Sequence, residues 1–213
     1  MHKLFQELGM EVPIFGFSHC RDVVLAISKA GGLGVYGAAL HDDETIRMDI
    51  RWIEKRLEGK PYGIDLLMPK HYVGAEAGGL SQNEAKVLIP ESYTAFLDDM
   101  MTRYEVPEFE GWNEQEASEF AGGQRYTAAQ AEGILEMAFN SKARLLVSAL
   151  GTPPAWVVER AHAQSLKVAA LAGKPKHAVQ HRNAGVDIVI AQSYEAGGHT
   201  GDWGGMVLIP QVV

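Results

Sequence analysis

The strongest constraint on the fold is a rhythm. Short, almost unbroken apolar runs alternate with helical patterns along most of the 213 residues. "VPIFGF" (12–17) reads as a buried strand. "CRDVVLAISKA" (20–30) follows, with Val23, Val24, Ile27 and Ala30 on one helical stripe. "GLGVYGA" (32–38) and "PYGIDLLM" (61–68) read as the next two strands. Between them, residues 42–58 place Ile46, Ile50, Ile53 and Leu57 on one helical face, with Asp42, Asp43 and Glu44 at the dipole's positive end. "RLLVSAL" (144–150), "LKVAAL" (166–171) and "VDIVIAQ" (186–192) complete a set of six. The intervening helices are expected over 127–140, from a Thr127/Gln130 capping box, after Thr152 as N-cap with Pro153 at the first helical position, and over 174–184. Near-continuous apolar strands alternating with helices specify a parallel sheet covered by helices. Six such strands suit either a doubly wound sheet or most of an eightfold barrel. Both put their chemistry at the carboxyl ends of the strands.

One segment breaks the rhythm. Residues 69–123 hold one expected helix (91–104), and residues 105–123 carry six glutamates without a lysine or arginine. This reads as a solvated acidic insertion, with a lid over the site as the sharper alternative.

Composition narrows the function. The net charge is −8, with 27 acidic against 19 basic side chains and no Lys/Arg block, which argues against nucleic acid. No apolar stretch approaches the roughly 20 residues of a membrane span. "MHKLFQELGMEVPIFGF" has no long apolar region of the signal-peptide kind. Cys20 is the only cysteine, so no intrachain disulfide can form. A cytoplasmic protein is the expectation.

Gly32, Gly34 and Gly37 spell G-x-G-x-x-G, but the dinucleotide fingerprint needs a strand before it and a helix opening within it. Here a helix precedes it and the glycines punctuate a strand. Gly31 and Gly32 read as a helix end, and Gly34 and Gly37 as points of close packing. The strand ends present Phe15, Gly16, Phe17, Ser18 and His19, then Asp65, then Ser148 and Gly151. Beyond these come Gly173, Lys174 and Lys176, and lastly Gln192, Glu195, Gly197, Gly198, His199 and Gly201. The set lacks metal-ligand spacing and a G-x-S-x-G elbow. It suits a large planar cofactor with a phosphate, approached closely by backbone.

"SKAGGLGVYGA", "KPYGIDLLMP", "LLVSALGTP" and "GVDIVIAQSYEAGGHTG", in that order, resemble the nitronate monooxygenase family, formerly called 2-nitropropane dioxygenases. The resemblance implies an α/β fold of the (β/α)8 TIM-barrel type, a single flavin-binding domain over 1–213 with about six of eight strands and the long excursion after strand three. It implies FMN as cofactor, alkyl nitronates and O2 as small-molecule substrates, and a carbonyl compound and nitrite as products. It puts the catalytic base or substrate-orienting group at His199. Cofactor contacts fall on Phe15, Gly16, Phe17, Asp65, Lys174, Lys176, Gln192, Gly197 and Gly198. No metal, membrane or nucleic acid is implied, and a homo-oligomer is compatible with all of this.

The chain departs from the family pattern in four ways. "PIFGFSH" replaces an A-P-M element on strand one, Asp65 replaces an asparagine, and Ser193 replaces a glycine. After strand six comes "DWGGMVLIPQVV", with Pro210 read as the start of the next helix, and the family's strands seven and eight, whose glycine-rich loops hold the FMN phosphate, are not found. The expectation is a C-terminally truncated member that holds FMN weakly or not at all. Two alternatives remain: a flavin-dependent NAD(P)H:quinone or enoyl-thioester reductase on the same barrel, or a non-catalytic barrel fragment. Glu195 is expected to fix its loop as a hydrogen-bond acceptor, and His19, His71, His162, His177 and His181 to be surface or structural histidines.

Overall fold

A computed structural model describes residues 3–68, 87–107, 128–198 and 200–213. The chain divides into two units, residues 1–70 with 125–213, and residues 71–124. The second is described only over 87–107, where α4 (Glu91–Arg103) forms with an Asp99–Arg103 pair one turn apart. Residues 69–86 and 108–127, and with them most of the acidic excursion, its lid reading and Thr127, lie outside the described residues.

Six strands lie among the described residues, all in the first unit: β1 (Phe15–Ser18), β2 (Leu33–Gly37), β3 (Tyr62–Leu67), β4 (Leu145–Leu150), β5 (Lys167–Ala172) and β6 (Ile188–Ala191). Every pairing is parallel and the spatial order is β1-β2-β3-β4-β5-β6. That order decides between the two architectures left open by the sequence, because a doubly wound sheet reverses at a switch point and this one does not. The helices agree. Strand alternation puts Tyr36, Tyr62, Ile64, Leu66, Leu146 and Val168 on one face. There they pack with Val24 of α2 (Arg21–Lys29), Ile46, Ile50 and Ile53 of α3 (Asp43–Arg56), Ile134 and Leu135 of α5 (Ala128–Phe139), and Val157 and Val158 of α6 (Ala155–Ala163). The sheet is therefore a six-stranded half-barrel, helices outside, with β1 and β6 as its edges.

The helix-free face is filled differently. Leu33, Val35, Leu145, Val147 and Ala169 form a second core with Leu8 and Met10. Those two follow α1 (Lys3–Glu7), which closes the amino end of the sheet. The sequence gives no periodic warning of α1, because five residues are too few to show a stripe.

Strand β1 starts three residues later than its apolar run suggests. Val12 and Ile14 are exposed, and the segment before β1 pairs instead with the chain after α2, Glu11 and Val12 N–H donating to Gly31 O. Asp42, expected at the dipole's positive end of α3, also caps it, accepting from Thr45 N at 2.7 Å. Two helix starts are corrected. α6 begins at Ala155 with Pro154, not Thr152, as its N-cap. Thr152 is used elsewhere: its hydroxyl donates to His181 Nδ1 at 3.0 Å, while His181 Nε2 donates to Leu171 O at 2.9 Å. His181 lies on α7 (Pro175–Asn183) and is buried. It ties that helix to β5 and to the loop after β4. His181→Ala leaves a carbonyl and a hydroxyl unpaired in the interior, and is expected to lower stability by about 2 kcal/mol in thermal melts.

The second correction is at the end of the chain. α8 runs Gly205–Val212, so Pro210 lies inside the helix rather than at its start. Proline removes one donor there, toward the carbonyl of an exposed Met206 that water can serve.

Candidate active site

The carboxyl ends of the strands carry three groups of residues. The first comes from β1. Phe17 is 55% exposed, and its ring meets the His19 imidazole edge-on at 5.0 Å. His19 Nδ1 donates to Gly37 O at 2.8 Å. A Cβ at Gly37 would stand 2.6 Å from both His19 Nδ1 and Phe17 Cζ. The glycine thus lets two rings lie against the end of β2. That bond fixes the His19 tautomer and leaves Nε2 as an acceptor. A single histidine after a strand carried no signal of this in the sequence. Phe15 is half-buried beside the second core. Gly16 faces the other way: a Cβ there would reach Ile27 Cδ1 at 2.5 Å, so its bareness serves the packing of α2.

The second group is Asp65. Gly37 and Val147 are its register partners on either side. Its face is the one opposite Ile64 and Leu66, and it is only 5% exposed. Among the described residues Oδ1 has no hydrogen-bond partner. The β3–β4 register shifts here, Leu66 pairing with Ser148 and Leu67 with Leu150. Ala149 is thereby left out of the ladder, as in a bulge. Its N–H and that of Leu66 are directed at the carboxyl, but burial outweighs them and pushes Asp65 up to about 8.

The third group follows β5 and β6. Gln192 N donates to Ala172 O at 3.0 Å, continuing the ladder one residue past β6. Gly173 and Gly201 touch backbone to backbone, a Cβ on Gly201 falling 2.6 Å from Gly173 O. The loop between closes on itself: Tyr194 N donates to Trp203 O at 3.0 Å. Both Glu195 carboxylate oxygens accept from Gly205 N at the start of α8, at 3.0 and 3.2 Å. A hydrogen bond from Ser193, reinforced by those amides, holds the Glu195 carboxyl below its ordinary range. Glu195 is thus the loop-fixing acceptor expected of it, and the departure to serine at 193 adds a donor to the same carboxylate. Within this loop Gly197 and Gly198 are exposed, with no atom of the described residues within 4 Å of where their Cβ atoms would be; Gly198 has φ +73°. His199 lies outside the described residues. Lys174 pairs with Asp202 at 3.1 Å, and Lys176 is exposed in the first turn of α7.

The donor set fits a flavin. A buried polar atom lacks a partner among the described residues, backbone lies open at two adjacent glycines, and a half-exposed aromatic ring stands at the carboxyl end of the same sheet. Among the described residues no group of three His, Cys, Asp or Glu side chains could hold a metal ion. No described helix is long and apolar enough to cross a membrane.

A cavity of about 420 Å³ lies at the opposite end, among Glu7, Arg144, His162, Lys167 and Asp187. Its charges mostly satisfy one another. Lys167 pairs with Asp187 at 3.3 Å and Glu7 at 3.5 Å, and His162 with Asp187 at 2.9 Å. In barrels the amino end serves stability, and this cluster does so by joining α1, α6 and β5 to the chain entering β6.

The likenesses to known proteins follow the same sheet. A Mycobacterium tuberculosis protein named as a monooxygenase is 48% identical over 206 residues, covering 97% of this chain and 54% of the relative. A Staphylococcus haemolyticus protein named as a nitronate monooxygenase is 24% identical over 228 residues, 100% of this chain and 57% of the relative. The chain spans about half the length of the curated relatives it matches. Among solved structures, a nitroalkane oxidase from Streptomyces ansochromogenes superposes with a TM-score of 0.69 at 23% identity, over 99% of this chain and 57% of that one. FabK from Thermotoga maritima gives 0.65 at 18%, over 100% and 50%. At these identities the two structures speak for the fold. The model of the nitronate monooxygenase family matches residues 10–213, taking in all six strands and the glycine loop after β6, and the chain belongs to that family.

Proposed function

We propose that the chain forms the β1–β6 part of an FMN-dependent site that oxidises nitroalkanes, as their nitronates, with O2 to a carbonyl compound and nitrite. The observation that carries this reading is the unpartnered, buried Asp65 at the carboxyl end of the sheet, within a family whose name states the chemistry. When bound, the flavin supplies the electron acceptor that a protein side chain cannot provide. Phe17 offers a ring face, Asp65 a polar contact, and Gly197 and Gly198 bare backbone. Gln192, Lys174 and Lys176 stand at the neighbouring loop ends. His199 is the proposed base. A histidine near its ordinary range accepts a proton from the acidic carbon of a nitroalkane at neutral pH, which generates the nitronate.

Two measurements test this. FMN added to the chain and then desalted is expected to leave a shifted flavin absorption band with the protein. In the loaded protein, His199→Asn is expected to lose about 100-fold or more of its rate on the neutral nitroalkane, and much less on preformed nitronate. Equal loss on both substrates removes His199 from the proton transfer. NAD(P)H consumption without nitronate turnover replaces the oxidase reading with the reductase one.

A further inference from the structure

We propose that Asp65 meets the ligand of this site as a neutral carboxylic acid, donating its O–H to an acceptor atom of that ligand. The proposal rests on the flavin reading above for the ligand's identity, and on the position of Asp65 for the rest.

The position is unusual for an acid. Along β3, Tyr62, Ile64 and Leu66 enter the core under the helices, and Asp65 takes the opposite face. Its register partners there are Gly37, which has no side chain, and Val147, which is apolar. The titratable groups around it are few. β4 presents none among its described residues. On β2, Tyr36 turns its hydroxyl to the helix side, donating to Asp49 Oδ2 at 2.8 Å. The segment after β1 brings His19, whose Nδ1 is committed to Gly37 O. Helices α2 and α5 pack on the far face of the sheet. No lysine or arginine among the described residues pairs with the Asp65 carboxyl.

An ionised carboxylate buried without a cation is strongly disfavoured, and two peptide N–H groups do not replace one. Burial accordingly pushes Asp65 up to about 8, against the pull of the Ala149 and Leu66 amides. At pH 7 the side chain is therefore mostly an acid with one O–H. Oδ1 finds no partner among the described residues. An ionised carboxylate can only accept, whereas the acid donates, and this donor waits on a buried strand end where water has little access. The isoalloxazine ring has carbonyl oxygens and ring nitrogens that accept such a bond. Deprotonation of Asp65 removes the donor and sets a negative charge against those lone pairs.

The test is the pH dependence of FMN binding, read by quenching of flavin fluorescence, for the parent chain and Asp65→Asn. Asparagine keeps a donor at this position at every pH. For the parent, Kd is expected to be steady up to about pH 7.5 and to rise at least tenfold by pH 9.5. For Asp65→Asn it is expected to stay within about threefold of the parent's neutral value across the range. A parent curve that Asp65→Asn reproduces overturns the proposal, as does an Asp65→Asn protein that binds poorly at pH 7 while the parent curve stays flat. Thermal melts without flavin read the protonation separately. The folded value lies above the ordinary one near 4, so the acid's contribution to stability is full below about pH 4 and is lost as pH rises toward 8. Asp65→Asn is expected to abolish that fall and to melt higher than the parent at pH 8. If the melts behave so and neither protein binds FMN at any pH, the flavin reading fails and the neutral acid stands. If the melts of the two proteins run parallel from pH 5 to 9, the neutral acid is wrong whatever FMN does.

Discussion

Gly34→Ala is expected to unfold the chain or to lower its melting temperature by about 10 °C or more. A Cβ at Gly34 would lie 2.2 Å from Val24 O, 2.8 Å from Val24 C and 2.9 Å from Val24 Cα. All three are backbone atoms of α2, so no rotamer change relieves the contact. Val24 is itself fully buried, packed into the same core as Tyr36 and Ile64. The Gly34 N–H donates to the buried Ser28 hydroxyl at 3.0 Å, which pins the last turn of α2 to β2 at the point of closest approach. Separating the two elements by the ångström or more that a methyl demands breaks that bond and opens the core. Overpacking of cores costs about 1–3 kcal/mol where side chains can yield, and more where they cannot. In a domain of this size about 3–4 kcal/mol corresponds to roughly 10 °C. Gly133→Ala is the control of opposite sign. Gly133 sits inside α5, and its Cβ would meet Asp43 Oδ2 at an ordinary 3.7 Å. Alanine there is expected to stabilise by about 0.5–1 kcal/mol, through helix propensity alone. If both variants melt like the parent, the close approach of α2 to β2 is wrong.

The same glycines show where sequence reasoning succeeds. G-x-G-x-x-G at 32–37 is read correctly as packing rather than as a nucleotide loop, because the order of elements around it is wrong for the loop. A Cβ at Gly32 would strike Ile14 O at 2.7 Å, one at Gly34 the backbone of α2, and one at Gly37 the rings of Phe17 and His19. What the sequence could not supply is the sheet order. Apolar runs mark strands, but a sequential and a reversing order share the same runs, and only the pairings separate them. Thr152 shows a second kind of failure. A hydroxyl before Pro-Pro has the composition of a helix cap, but the partner that claims it, His181, lies 29 residues away. Local pattern cannot rank a capping bond against a tertiary one.

In the candidate site Asp65 was visible in the sequence as a polar residue at a strand end and as a departure from the family's asparagine. Its meaning was not visible. That depends on Gly37 and Val147 lying beside it, and on a bulge at Ala149 that no residue type announces. His19 was invisible for the opposite reason. Most histidines are structural, and what distinguishes this one is a carbonyl on the neighbouring strand. Glu195 was legible as a loop-fixing acceptor because its partner is local: the amide it caps lies only ten residues on.

Asp49→Ala carries the second large expected effect, because the carboxylate serves two partners at once. Arg21 Nη1 stands 2.7 Å from Oδ1, and the Tyr36 hydroxyl donates to Oδ2 at 2.8 Å. Asp49 and Tyr36 are buried, and Arg21 is partly covered, its guanidinium 4.8 Å from the Trp52 ring. Burial and the neighbouring carboxylate push the Tyr36 phenol well above its ordinary range, so it remains a donor at every accessible pH. The three side chains come from α2, β2 and α3, so the network fixes two helices on one strand. Removing the carboxylate leaves a buried hydroxyl and a half-covered cation without an acceptor, a loss of about 3–5 kcal/mol. Tyr36→Phe removes one neutral donor and leaves the ion pair in place, and is expected to cost only about 1–2 kcal/mol. In the double variant the phenol is no longer stranded. Asp49→Ala with Tyr36→Phe should therefore destabilise by about 1 kcal/mol less than the sum of the single changes. Urea unfolding of the four proteins measures this coupling directly. Strict additivity would mean that Tyr36 and Asp49 do not share a bond in solution, and that α3 is held to β2 by apolar packing alone.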